Sequence, residues 1–294
     1  MSVSTNLITL PPSSASSISE HLKRRKARHQ NQLKNASTRR AVELFFKYKC
    51  RSVSELYDVC TSYEWAELVY VSNGDHHQSL KVALELYIKD CLDIQRYDRW
   101  NWMLVNNSDQ CQGNGEQCRE LSIIFKNNHI NIGEFAKAVH DVLNCVDEKK
   151  NCLRLIGCSN SCKTLIASCI AAPFITSYVN NHNSENEFYL SAFLNKTLAL
   201  CEELFVTTAT AEDFKSILGG APLNISKKYN EKQILTRTPI IVTSNHEKFG
   251  RGHIPLVDEA ALANRCFTFR FSVPYKPKCH IEPASLAHYL NKWF

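Results

Sequence analysis

The feature that most constrains this chain is eight residues long. Gly157-Cys158-Ser159-Asn160-Ser161-Cys162-Lys163-Thr164 stands between a short apolar run, residues 153–156, and an apolar stretch, residues 165–172. A strand that turns through a glycine-opened loop into a helix brings backbone N–H groups and the positive end of a helix dipole to one point. That is a place for phosphate. In the consensus GxxxxGK[ST] the lysine reaches the β- and γ-phosphate oxygens and the hydroxyl holds Mg²⁺. Seven of the eight positions agree in type, and the departure is Cys162, where glycine is usual. A Cβ there crowds the loop, and a small thiol is among the less damaging replacements.

Two further apolar runs share this texture. Residues 198–201 lead into Glu202-Glu203, and residues 239–243 lead into Ser244-Asn245. Short apolar runs alternating with helical stretches predict an α/β fold, a mainly parallel sheet flanked by helices. A carboxylate at a strand end beside a phosphate loop can hold Mg²⁺ through water, and its neighbour can polarise an attacking water. An asparagine at the end of the next strand can hydrogen-bond the γ-phosphate. Taken singly, the Glu-Glu pair also reads as a solvated helix start, and Asn245 as an ordinary strand end.

The N-terminal half has a different texture. From about Thr38 to Trp102 the pattern is helical, with Ala41, Leu44, Phe45 and Tyr48, then Leu80, Ala83, Leu84, Tyr87 and Cys91, at three- and four-residue spacing. Asn73-Gly74-Asp75 reads as a turn, residues 106–117 as a surface loop, and residues 132–143 as a helix with Phe135, Val139 and Val142 on one face. The net charge of +6 is uneven: residues 1–50 carry ten Lys/Arg against two Glu. The cluster Lys23-Arg24-Arg25-Lys26-Ala27-Arg28 follows a Pro/Ser-rich stretch too polar to pack a core. It reads as a nuclear-import signal or a nucleic-acid-binding arm, or as a solvated charged helix start. With 44% apolar and 22% charged residues the chain is an ordinary globular mix. No apolar run approaches the roughly 20 residues a membrane span needs. The thirteen cysteines lack zinc spacing. Without a leader pattern, a soluble intracellular protein with reduced thiols is expected, with no membrane partner. The expected organisation is a disordered basic arm over residues 1–40, a mostly helical oligomerisation and DNA-binding region over 41–143, an ATPase domain over 144–275 and a tail over 276–294.

The three motifs in this order resemble the superfamily 3 helicases of small DNA viruses, and most closely the helicase region of the large nonstructural replication protein of parvoviruses, densoviruses and bidnaviruses. The likeness runs over residues 144–271. Ile217-Leu218-Gly219-Gly220 followed by Lys227-Lys228 looks like the family's central motif, Thr238-Pro239-Ile240-Ile241-Val242-Thr243-Ser244-Asn245 like its third, and Leu262-Ala263-Asn264-Arg265-Cys266-Phe267-Thr268-Phe269 like its arginine-finger segment. The resemblance implies a phosphate-loop, AAA+-like NTPase that uses ATP and Mg²⁺. By it Gly157, Cys158, Ser159, Asn160, Ser161, Cys162, Lys163 and Thr164 hold the nucleotide, Thr164 and Glu202 serve Mg²⁺, and Glu203 is the base. Asn245 is the sensor, and Arg265 reaches a neighbouring subunit's nucleotide. Lys227 and Lys228 would lie on a DNA-holding hairpin, although Asn230 and Glu231 stand where the family carries further basic residues.

The family's origin-nicking domain uses His-hydrophobic-His with a nucleophilic Tyr and a nearby Lys. Here His76 and His77 are adjacent and cannot both face one metal from one strand face, so no nicking activity is expected of this chain. The implied protein is an ATP-driven DNA helicase of viral genome replication. It would act on single-stranded or partly duplex DNA as a hexameric ring in the host nucleus, beside a separate nickase or other replication proteins. Two other readings stand: another phosphate-loop NTPase such as a nucleotide kinase, and a non-catalytic replication or packaging accessory that binds DNA.

Overall fold

Asn35 opens the first long helix by accepting hydrogen bonds from the N–H groups of Ser37 (2.9 Å) and Thr38 (3.3 Å), groups with no partner inside the helix. The computed structural model describes residues 20, 23–29, 33, 35–72, 76–106, 115–180, 189–227 and 230–294. These divide into two units, Met1–Tyr97 and Asp98–Phe294.

The first unit is helical, as its spacing predicts: α1 (Ala36–Tyr48), α2 (Val53–Val59), α3 (Ser62–Val71) and α4 (His76–Tyr97). Ala41, Val42, Leu44 and Phe45 of α1 are fully buried. α1 packs along α4, with the Phe45 ring stacked 6.1 Å from that of Tyr87. Thr61 and Glu64 form a capping box at the start of α3. Glu64 also accepts from Lys47 Nζ (2.7 Å) and Tyr48 Oη (2.5 Å), and those two bonds, with the Thr61 N–H, hold its carboxyl down to about 2.

The basic arm corrects the sequence expectation. Residues 23–29 are helical. Arg25 lies 2.9 Å from Asp90 and 3.1 Å from Asp93, and His29 lies 2.7 Å from Asp90. Within the stretch that composition reads as a disordered arm reaching residue 40, Arg25 and His29 thus meet carboxylates of α4, and residues 36–40 already belong to α1. The Pro/Ser stretch and the Asn73-Gly74-Asp75 turn lie outside the described residues.

The second unit is built on β1 (Cys152–Gly157), β2 (Thr176–Asn180), β3 (Leu198–Glu202), β6 (Ile240–Ser244) and β7 (Cys266–Phe271), all parallel, in the order β2-β3-β6-β1-β7. An antiparallel hairpin, β4 (Leu223–Lys227) and β5 (Asn230–Leu235), stands apart from it. β1, up to the half-buried Gly157 that ends it, and β6 are buried along their length, as strands covered on both faces must be, and are apolar but for Arg154 in β1 and the Thr243-Ser244 end of β6. The helices are α5 (Arg99–Asn106), α6 (Gly115–Asn127), α7 (Ile132–Leu143), α8 (Lys163–Ala171), α9 (Ala211–Gly219), α10 (Leu256–Ala263) and α11 (Pro283–Asn291).

Buried Asn151, just before β1, ties the N-terminal ends of the strands together. Its Nδ2 donates to Ile217 O (3.1 Å) and Thr238 O (2.7 Å), and its Oδ1 accepts from Arg237 Nε (3.2 Å). Three expectations change here. Helices α5 to α7 sit in the same unit as the sheet, so no boundary falls at residue 143. The expected tail, residues 276–294, instead contains α11, which packs on α8 and buries Ala284, Leu286, Ala287 and Leu290. The reason is visible in its apolar spacing. Residues 115–117, expected in a loop, begin α6.

Candidate active site

The carboxyl ends of β1, β3 and β6 meet where β1 gains neighbours on both sides, the position at which parallel α/β sheets bind ligands. Gly157 ends β1 with φ +141°, and a Cβ there would lie 1.9 Å from Phe271 O, so only glycine fits. The chain then loops into α8 through Cys162, which has φ 67° and ψ 9°. This left-handed conformation explains why glycine is usual there; a side chain in it costs about 1–2 kcal/mol. The thiol is tied down: Cys162 Sγ lies 3.1 Å from Tyr275 O, and Cys158 Sγ 3.1 Å from Ser272 O. Burial pushes the Cys162 thiol up, so it stays neutral and adds no negative charge where phosphate would lie.

Lys163, at the start of α8, donates to Gly157 O (3.1 Å), Cys158 O, Ser161 Oγ (3.1 Å) and Asn245 Oδ1 (3.1 Å). Burial lowers its basicity. Asn245 in turn gives its N–H to Glu203 Oε1 (3.0 Å), and Ser244 Oγ lies 3.2 Å from Glu203 Oε2. Glu203 leaves β3 with φ 51°, a strained turn that aims its carboxylate at Asn245 rather than along the strand. The result is an unbroken chain of contacts from lysine to asparagine to carboxylate.

These groups line a cleft of about 780 Å³, formed by Ser159, Asn160, Cys162, Lys163, Thr164, Glu203, Thr243 and Asn245 with residues 274–277 opposite. The loop amides, the buried ammonium and the Thr164 hydroxyl fit a nucleoside triphosphate with its Mg²⁺. Thus the structure brings together the loop, Lys163, Thr164, Glu203 and Asn245. It does not bring Glu202 into the cleft wall. That residue ends β3 with an exposed side chain, and Glu203 stands in the wall instead.

Arg265 lies elsewhere. It precedes β7 at the level of Asn151, at the opposite end of the sheet from Gly157 and about 20 Å away by strand rise. Its guanidinium donates to Ala261 O and packs 3.1 Å from where a Gly219 Cβ would be. Lys227 ends β4, while its side chain and the whole of Lys228 lie outside the described residues.

Two groups were missed in the sequence. Pro274, Tyr275, Lys276 and Pro277 form the wall facing the phosphate loop. Glu120 accepts from Tyr275 Oη (2.8 Å) and from Lys278 N (2.9 Å), contacts that hold its carboxyl below the usual range. Two prolines bracketing an aromatic after the last strand were the available signal. Arg251 lies with Nη2 3.3 Å from Glu203 O, and nothing in its spacing announced it.

The Parvovirus non-structural protein NS1 family model matches residues 70–293. The Initiator protein NS1 of Aleutian mink disease parvovirus (strain G) is 27% identical over 181 residues, covering 60% of this chain and 30% of that protein. That of Human bocavirus 2 is 24% identical over 213 residues, covering 71% and 26%. The Replication protein E1 of Human papillomavirus type 1 is 23% identical over 173 residues, covering 54% and 27%. The chain spans less than a third of the length of these curated relatives. Among solved structures, JCV Helicase is similar with a TM-score of 0.56 at 12% identity, over 89% of this chain and 92% of that one. At that identity the likeness is one of fold. The motifs quoted from the sequence, the sheet order that carries them and the span of the family match agree: this chain belongs to the parvovirus non-structural protein NS1 family.

Proposed function

We propose that the chain is an ATP-driven DNA helicase domain of viral genome replication, working as a homo-oligomeric ring of six. The observation that carries this reading is the contact chain Lys163–Asn245–Glu203 facing one cleft, with Arg265 held at the far end of the same sheet. Loop amides and Lys163 bind the β- and γ-phosphates, Asn245 orients the attacking water, and Glu203 takes its proton. Thr164, with the Glu202–Glu203 strand end, would hold Mg²⁺, which supplies charge neutralisation on the phosphates. Arg265 cannot serve its own cleft and acts on a neighbour's. The β4–β5 hairpin with Lys227 and Lys228 holds single-stranded or partly duplex DNA. The Lys23–Arg28 cluster directs the protein to the host nucleus, and a separate nickase supplies the origin nick.

DNA-stimulated ATP hydrolysis tests the reading. Wild-type protein should hydrolyse ATP faster with single-stranded DNA, and Lys163→Ala and Arg265→Ala should each fall to background. A mixture of the two variants should regain activity, because an interface can pair an intact finger with an intact loop; an arginine finger is worth about 10³ to 10⁵ in turnover. Wild-type turnover in Lys163→Ala would overturn the assignment. DNA-independent activity from a strict monomer would favour a self-contained NTPase.

A further inference from the structure

A charged side chain in the middle of a buried parallel strand is out of place, and β1 has one. Arg154 sits opposite Val242 of β6 and Thr268 of β7 and is 4% exposed. Burial lowers its basicity, and its Nε has no hydrogen-bond partner among the described residues. An unpaired charge at such a place is costly unless its donors are used. They are used on one turn: Nη2 donates to Glu247 O and lies 3.4 Å from His246 O, and the guanidinium stacks 4.0 Å from the Phe249 ring centroid.

A second buried charge holds the other end of that turn. Glu259 of α10 is 9% exposed; it accepts from Phe249 N at 2.9 Å and from Gly250 N at 2.7 Å. The turn begins at Asn245, whose side chain touches Lys163 and whose N–H meets Glu203. The helix that grips its far end runs on to Arg265, which bonds back to Leu262 O at 3.1 Å.

We propose that Arg154 and Glu259 are positioning residues for ATP hydrolysis. They form a buried clamp that fixes residues 246–250 and so registers Asn245, in the chain's own cleft, against the helix that presents Arg265 to the next. The proposal rests on the ATPase reading above. A plain packing role for Arg154 would be met equally well by an apolar side chain of similar length.

The experiment uses the full chain with Arg154→Met, Arg154→Lys, Glu259→Gln and the double Arg154→Met/Glu259→Gln. Four quantities are read: DNA-stimulated ATP turnover, affinity for a fluorescent ATP analogue, melting temperature, and hydrogen exchange at the Phe249 and Gly250 amides. Each single variant should lose about 10²-fold in kcat, the scale of a one-ångström misplacement, with analogue affinity near wild type. Arg154→Lys should not rescue, because one ammonium cannot both stack and span two carbonyls. The double variant loses both ends of the clamp and should melt below either single one, because the two side chains bond separate main-chain atoms of the turn; it should stay slow and exchange quickly at residues 249 and 250. A double variant or Arg154→Lys with wild-type kcat and wild-type exchange would overturn the clamp. If Arg154→Met or Glu259→Gln fails to fold, the charge-conserving Arg154→Lys carries the test. If wild-type protein hydrolyses no ATP, the ATPase reading fails, while exchange at the two amides still decides whether the clamp exists.

Discussion

The two units spend their charged side chains in opposite ways. In the helical unit charge meets charge: Arg25 with Asp90 and Asp93, Arg40 with Glu43 and Glu67, Lys47 with Glu64. In the sheet unit a set of charged groups, at both ends of the sheet, is spent on the main chain. Arg154, Lys163, Arg237, Arg251 and Arg265 donate to carbonyls, while Glu120, Glu203 and Glu259 accept from amides. An ion pair joins two surfaces and answers to acid and salt. A charge bonded to the main chain fixes where a loop runs, which is what a catalytic edge requires. The charge pairs of the first unit are interactions that conditions can loosen; the second has ion pairs too, such as Lys215 with Glu212 and Asp258, but adds main-chain bonds that set geometry.

The largest effect that sharpens this contrast is at Glu203. Glu203→Gln keeps an oxygen for the Asn245 N–H, so the strand end should hold its shape, but it cannot take a proton. ATP hydrolysis should fall about 10² to 10⁴-fold with ATP binding retained. If Glu202→Gln is the severe change and Glu203→Gln harmless, the exposed carboxylate carries the chemistry and the two roles must be exchanged.

Next in size is Asn151→Leu, which leaves Ile217 O, Thr238 O and Arg237 Nε without the partner they share. Denaturant unfolding of the sheet unit should lose about 3 kcal/mol, and equally at pH 7 and pH 4, since Asn151 does not titrate. A loss that changes with pH would break the contrast.

The smallest effect is at Glu64. Its carboxyl, held to about 2 by Lys47, Tyr48 and the Thr61 N–H, stabilises the helical unit fully above the unfolded value of about 4.3, and that contribution fades as pH falls toward 2. Glu64→Gln should speed hydrogen exchange of the α3 amides at pH 7, and the difference from wild type should shrink between about pH 4.3 and pH 2. A difference that persists at pH 2 would mean that packing, not charge, holds this corner.

What could be read in advance follows the same division. Strand–loop–helix texture gave β1, β3, β6 and the phosphate loop nearly to the residue, because buried parallel strands are continuous apolar runs and their polar ends stand out. β2 escaped notice, since Thr176-Ser177-Tyr178 is polar for a strand; it is an edge strand and Tyr178 is exposed. The helix over residues 23–29 was not legible because composition counts charges and does not show that Asp90 and Asp93 on another helix pair with Arg25. Glu203 and Asn245 were legible as polar residues at neighbouring strand ends, while the positive φ that turns Glu203 toward Asn245 is announced by no residue type. Arg154, Arg251 and Glu259 were unreadable for a different reason: their partners are backbone atoms, which every residue carries alike.

The opposite placement of Cys162-Lys163-Thr164 and Arg265 on one sheet has a consequence for stoichiometry. If a complete site needs the loop of one copy and the arginine of the next, the contact between copies joins unlike faces, head to tail. A two-fold symmetric pair presents like to like and completes neither site. An open row of n copies completes n − 1 sites and leaves one bare loop and one idle arginine at its ends. Only closure gives every copy both halves, so turnover per chain rises with assembly length and stops rising when the last gap is filled.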